Sequence, residues 1–184
     1  MSAIEELKKE HEAIKLMLRI LEKVSEKLES GQSVNTDNLE KIIEFIQVFA
    51  DKCHHGKEED LLFREMEAIG FPRDQGPVGV MFLEHDEGRG YVRRMKDGVA
   101  ALKTGNNKSA SVIAKNARDY VSLLSQHIEK EDKILYPMAE KRLPEAKLKE
   151  LEKRFEKVEE ETIGFGKHEK FHKLLHRLKE LYLK

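Results

Sequence analysis

Two stretches of this chain repeat one order of histidine and glutamate in one register, and any fold it adopts must reconcile both copies. His11 precedes His54 by 43 positions, and His85 precedes His127 by 42. His54 and His127 each open a His-x-x-x-Glu pattern that closes at Glu58 and Glu131, with the copies 74 positions apart at His11/His85 and 73 at His54/His127. The text that follows also repeats, "EEDLLF" from Glu58 and "EDKILY" from Glu131. Four imidazoles and two carboxylates in duplicate are what a buried pair of metal ions requires.

The intervening sequence reads as helix. Apolar residues recur every three or four positions, with Gly and Pro confined to the breaks. A first helix is expected from about Ile4 to Glu29, ending at Gly31. A second begins after Asp37, an N-cap with Glu40 in capping-box spacing, and runs to about Ile69. "GFPRDQGP" forms a loop, and a third helix covers about Val78 to Leu102, with Gly88, Gly90 and Gly98 weakening it. A fourth covers about Ser109 to Lys141, with a kink or early end near Tyr136 because of Pro137. Pro144 opens a further helix to about Glu161, and "GFG" (164–166) separates it from a last one, Lys167 to Leu183. The expectation is an all-α chain: an up-down-up-down four-helix bundle over residues 1–143, with a helical extension, 144–184, packed against it.

Residues four apart share a helix face, so His54 with Glu58 and His127 with Glu131 each offer an imidazole and a carboxylate to one point. His11 and His85 add one imidazole each from the other two helices. Their neighbours are apolar (Ile14 and Leu18, Phe82, Leu62, Leu135), and a buried carboxylate there needs a compensating cation. Imidazole and carboxylate without a thiolate cluster favour iron or manganese over a structural zinc site of the cysteine type. Cys53 is the one cysteine, which excludes an intrachain disulfide and fits a reducing cytoplasm; beside His54 it reads as a plain buried thiol rather than a redox group. Tyr120, two turns before His127, is a candidate hydrogen-bond donor to a ligand at the metals, or simply core.

Charged residues make up 38% of the chain, yet the net charge is −1, so no nucleic-acid-binding balance is present. No apolar run is long enough to span a bilayer and no leader opens the chain, so neither membrane nor export is expected.

"KEHEAI" around His11, "CHHGKEEDLLF", "LEHDEGR" around His85 and "QHIEKEDKILYPMA" together resemble the hemerythrin-like HHE cation-binding domain over about residues 3 to 142. "GFGKHEKFH" is similar to the C-terminal extension of some prokaryotic members. The resemblance implies a four-helix bundle with a non-haem di-iron centre. In it Glu58 and Glu131 bridge two iron ions, and His11, His54, His85 and His127 are terminal ligands; manganese or zinc is the lesser alternative. Two departures stand out. Arg64 replaces a common proline. Arg89 occupies the place, one turn after His85, where oxygen-carrying hemerythrins have a second histidine. Two octahedral ions share roughly twelve positions. Four histidines, two bridging carboxylates and a bridging oxygen leave two open, and a fifth histidine would leave one. His168 and His172 on the last helix are candidates for that fifth ligand; His55, about 100° around an α-helix from His54, reads as supporting or surface.

The function implied is binding of O₂ or a related small oxidant, NO or peroxide, for sensing, storage or detoxification. The alternatives are a di-iron enzyme acting on NO or peroxide, an iron donor for iron–sulfur repair, or a metal-stabilised regulatory module. With no appended signalling domain expected, a self-contained sensor is disfavoured, and a separate redox or signalling partner protein is permitted.

Overall fold

The computed structural model describes residues 1–184 except Ile163 and Phe165, so the centre of the "GFG" break lies outside the described residues. Among the described residues every regular element is helical. In chain order these are α1 (Ala3–Glu29), α2 (Thr36–Phe45), π1 (Ile46–His55), π2 (Glu58–Leu62), α3 (Phe63–Ala68), α4 (Gly76–Lys103), α5 (Ser109–Lys130), π3 (Glu131–Leu135), α6 (Tyr136–Arg142), α7 (Glu145–Thr162) and α8 (Lys167–Tyr182). From α2 to α3, and from α5 to α6, the helical backbone is continuous apart from the change to wider π-type turns.

Local chemistry sets the ends. Ser2 caps α1 with Glu5 in a reciprocal capping box. The cap of α2 is Asn35, whose side chain accepts the Asp37 N–H at 2.8 Å, rather than the expected Asp37. Asp37 instead sits in the first turn, where its charge faces the positive end of the helix. Pro137 does not end the helix. The turn before it widens to π3, so the carbonyl ladder has left α register where a proline would otherwise clash, and the helix continues to Arg142.

α1 and α4 both lie along α5, α7 packs on α1 and π1, and α8 on α1 and α2. At the α4–α5 contact a side chain on Gly98 would put Cβ 2.7 Å from Ile113 Cγ1, so the close approach requires glycine. The apolar interior is in two parts. One runs from Ile14 through Leu39, Phe45, Phe49, Val92 and Ile128, and is closed by Phe171, Leu175 and Leu178 of α8. The other gathers Ile4, Leu7, Leu62, Phe63, Leu135 and Tyr136, closed by Leu151 and Phe155 of α7. Along α1, along the α2–α3 rod and along the α5–α6 rod, the break between the two parts falls at Glu10–His11, His54–Glu58 and Glu131.

Candidate metal centre

The break is a buried polar layer. His11, His54, His55, Glu58, His85, His127 and Glu131 are all buried. Their donor atoms fall into two groups, His11, His54 and Glu131 in one and His55, Glu58, His85 and His127 in the other, each within 4.8 Å. The two groups touch. Glu131 Oε2 is 3.2 Å from His11 Nε2 and its Oε1 is 3.1 Å from His127 Nε2, while Glu58 Oε2 is 3.7 Å from His54 Nε2 and 3.5 Å from His85 Nε2. The structure therefore brings together all six of the residues selected from the repeat.

Around them stands a shell of carboxylates that follows the same duplication. His54 Nδ1 meets Glu10 at 2.8 Å and His127 Nδ1 meets Glu84 at 2.9 Å. His11 Nδ1 meets Asp132 at 2.8 Å and His85 Nδ1 meets Glu59 at 2.6 Å. Glu10 and Glu84 each precede a ligand-type histidine, and Glu59 and Asp132 each follow a ligand-type glutamate. A cation closes each of these contacts: Lys57 holds Glu10 at 2.6 Å and Lys130 holds Glu84, while Lys15 holds Asp132 at 3.0 Å and Arg89 holds Glu59 at 2.7 Å. Lys15 and Arg89 are again 74 positions apart, and Lys57 and Lys130 are 73. Arg89 thus has the place that the sequence comparison marked as a missing histidine, and works from outside the layer.

Each Nδ1–H donates to a carboxylate, which fixes the tautomer and leaves the Nε2 lone pair facing inward, as in carboxylate–histidine–metal arrangements. His85 Nε2 and His127 Nε2 are then 3.0 Å apart, lone pair to lone pair, which only a cation between or beside them relieves. Among the described residues, six buried side-chain polar atoms lack a hydrogen-bond partner, and five of them are here: His54 Nε2, His55 Nδ1, Glu58 Oε2 and both Glu131 oxygens. The residues fit a pair of cations.

Without metal, protons take that place. Burial opposes charge on His127, but Glu131 and Glu84 outweigh it and push its pKa up to about 9. His11 is likewise raised, against burial, by Asp132 and Glu131. Burial and the adjacent Glu131 carry Glu58 well above the usual carboxylate range, whereas His127 and His11 overcome burial to hold Glu131 well below it. Burial, with the neighbouring imidazoles of His55 and His127, holds the His85 pKa well below its ordinary value.

Two residues break the duplication. The counterpart of His55 is Ile128, and that of Tyr136 is Phe63. The Tyr136 hydroxyl donates to Glu58 Oε1 at 2.7 Å and lies 3.3 Å from His11 Nε2. Phe63 stacks on His85 much as Tyr136 stacks on His11. His55 lies nearly parallel to His85, centroids 3.8 Å apart, and burial lowers its pKa to about 4. It belongs to the donor group of Glu58, His85 and His127, although the α angle from His54 sets it off the inner face; it lies at the end of π1, where the turn is wider. His168 and His172 are not part of either donor group: His168 is 40% exposed and pairs with Glu159 at 3.6 Å, and His172 neighbours it at 4.6 Å. Burial pushes the Cys53 thiol up to about 12, so it is a packed thiol rather than a thiolate.

Residues 2–139 match the hemerythrin HHE cation binding domain, and the chain belongs to that family. It is also 22% identical, over 163 residues, to uncharacterized proteins of Mycobacterium bovis and Mycobacterium tuberculosis, the match covering 89% of this chain and 63% of each relative. The chain thus spans less than two thirds of the length of these relatives. No solved structure matches it. No described helix is long and apolar enough to cross a membrane.

Proposed function

We propose that this member of the hemerythrin HHE family is a four-helix bundle over residues 1–143, with an extension over 144–184, that holds two iron ions and binds O₂, NO or peroxide. The observation that carries the reading is the convergence of unpartnered Nε2 and carboxylate atoms on one dry layer. His11 and His54 would hold one ion and His55, His85 and His127 the other, with Glu58 and Glu131 shared; manganese or zinc could occupy the same donors. With a bridging oxygen, five histidines fill all but one of the roughly twelve positions of two octahedral ions. On that count the ion of His11 and His54 would have one protein ligand fewer, and Tyr136 stands beside His11 and Glu58. When bound, two irons supply the reversible electron transfer that a small oxidant needs.

The chain's own contribution is threefold. Carboxylates that accept from the Nδ1 of His11, His54, His85 and His127 orient those imidazoles and make them better donors, and Asp51 lies 3.5 Å from the Nδ1 of His55. The apolar parts on either side exclude water. Burial and the two glutamates raise the Tyr136 pKa well above that of an ordinary phenol, so its oxygen keeps a proton beside His11 and Glu58. That held proton favours a second reading: an enzyme that reduces NO or peroxide.

The test is anaerobic purification, metal analysis, and a titration of the iron-loaded chain with O₂, NO and peroxide. Two irons per chain and a charge-transfer absorption that disappears under vacuum are expected for a carrier. Turnover of peroxide or NO would mark the enzyme. Failure to retain iron, or spectra indifferent to all three ligands, would refute both.

A further inference from the structure

Beside the layer lies a cavity of about 440 Å³ between π1, α4 and α5. Its inner wall includes His55 and His85, and its sides are apolar: Ile46, Val92 and Leu124, with Gly88 leaving room against the Tyr120 ring. An engineered apolar cavity of roughly 150 Å³ holds benzene, and small-molecule sites begin at about 300 Å³. The space is therefore far larger than a diatomic gas or peroxide needs. It is also lined by His55 and His85 and not by Tyr136.

Tyr120 supplies a second, independent sign. The residue is 2% exposed and lines the cavity; its hydroxyl is not among the fully buried atoms counted above, and among the described residues nothing hydrogen-bonds it. Burial keeps the phenol protonated, so it presents a donor. At the mouth stand Arg93 and Lys96, both exposed and without an ion pair among the described residues, beside one acid, Asp97. The other acids of the wall are engaged: Asp51 by Arg89 at 2.8 Å, and Glu84 by His127 and Lys130.

We propose that this cavity binds a small organic monocarboxylate, its apolar body among Ile46, Val92 and Leu124 and its acid group accepting from Tyr120 near His55. The placement of the acid group at the inner end rests on the metal-centre reading: two divalent ions against Glu58 and Glu131 leave that wall positive. Arg93 and Lys96 raise the local concentration of anions at the mouth.

Calorimetric titration of octanoate into the zinc-loaded chain tests this, with zinc counted on the same samples. One octanoate per chain is expected, with octan-1-ol at least about tenfold weaker and Tyr120→Phe weaker by about tenfold, the loss of a hydrogen bond to a charged group. Val92→Phe should abolish binding by filling the space. If that variant fails to fold, Tyr120→Phe, which removes a single oxygen, decides. No saturable binding to a chain holding two zinc ions overturns the proposal, as does octanoate affinity unchanged in Tyr120→Phe, or octan-1-ol binding as tightly as octanoate. If no zinc is retained while Tyr120-dependent binding of octanoate persists, the cavity stands and the metal-centre reading falls.

Discussion

At the scale of residues, the layer is governed by what holds each imidazole as much as by the imidazoles. Glu10→Gln and Glu84→Gln keep size and remove charge from one support in each half. Each is expected to weaken metal binding on the order of 10–100-fold with the fold retained, as measured by competition against a chelator of known affinity. Equal metal affinity in wild type and both variants would show the supports to be incidental. These supports were legible in principle. The doublets Glu10–His11 and Glu84–His85, and the triplets Lys57–Glu58–Glu59 and Lys130–Glu131–Asp132, repeat in the same register as the ligand-type residues. Charge on a helix surface is normally solvated, so sequence alone gave no reason to turn these inward. His55 and Tyr136 were hidden differently. An α-helical angle per residue sets His55 aside and favours Tyr120, and that angle does not apply where the backbone takes a wider turn.

At the scale of elements, those wider turns are paired. π2 and π3 start at Glu58 and Glu131, 73 positions apart, and each closes with a bond from the fifth residue on: Phe63 N–H to Glu58 and Tyr136 N–H to Glu131. Each is followed by an aromatic residue that lies against a histidine, Phe63 on His85 and Tyr136 on His11. Length and position of the helices were readable from apolar spacing and caps, because those depend on neighbours in sequence. The change of helix type depends on packing across the interior and was not. The same holds for Gly98, which reads as a weakness in isolation and proves to be a contact. Gly98→Ala is expected to destabilise by about 1–3 kcal/mol, since the new Cβ overlaps Ile113. Chemical denaturation measures this, and a variant as stable as the parent would show that α4 and α5 can separate freely.

At the scale of the whole molecule, the two apolar parts are joined through a layer that needs positive charge. Stripping metal with a chelator should lower the melting temperature, and the loss should grow with pH. The sign follows from the raised groups. His127 moves from 6.5 to about 9, so its proton stabilises the metal-free fold fully below 6.5 and is lost as pH rises through 9. Glu58, also raised, acts in the same direction above its ordinary value of 4.5. Metal uptake displaces these protons, so apparent affinity should rise over the interval in which metal-free stability falls. Melting curves of both forms between pH 6 and 9 check this; parallel curves would contradict it. α7 shares in the arrangement, because its Glu159 lies 3.5 Å from Lys57, which holds Glu10 and through it His54.

The supports also cross between the halves: Glu59 holds His85, and Asp132 holds His11. Neither copy of the repeat can complete its own half of the centre. A chain severed in the loop between Ala68 and Gly76 would leave two fragments with interlocking hooks, and the ions would serve as the rivets that keep a broken backbone working as one piece.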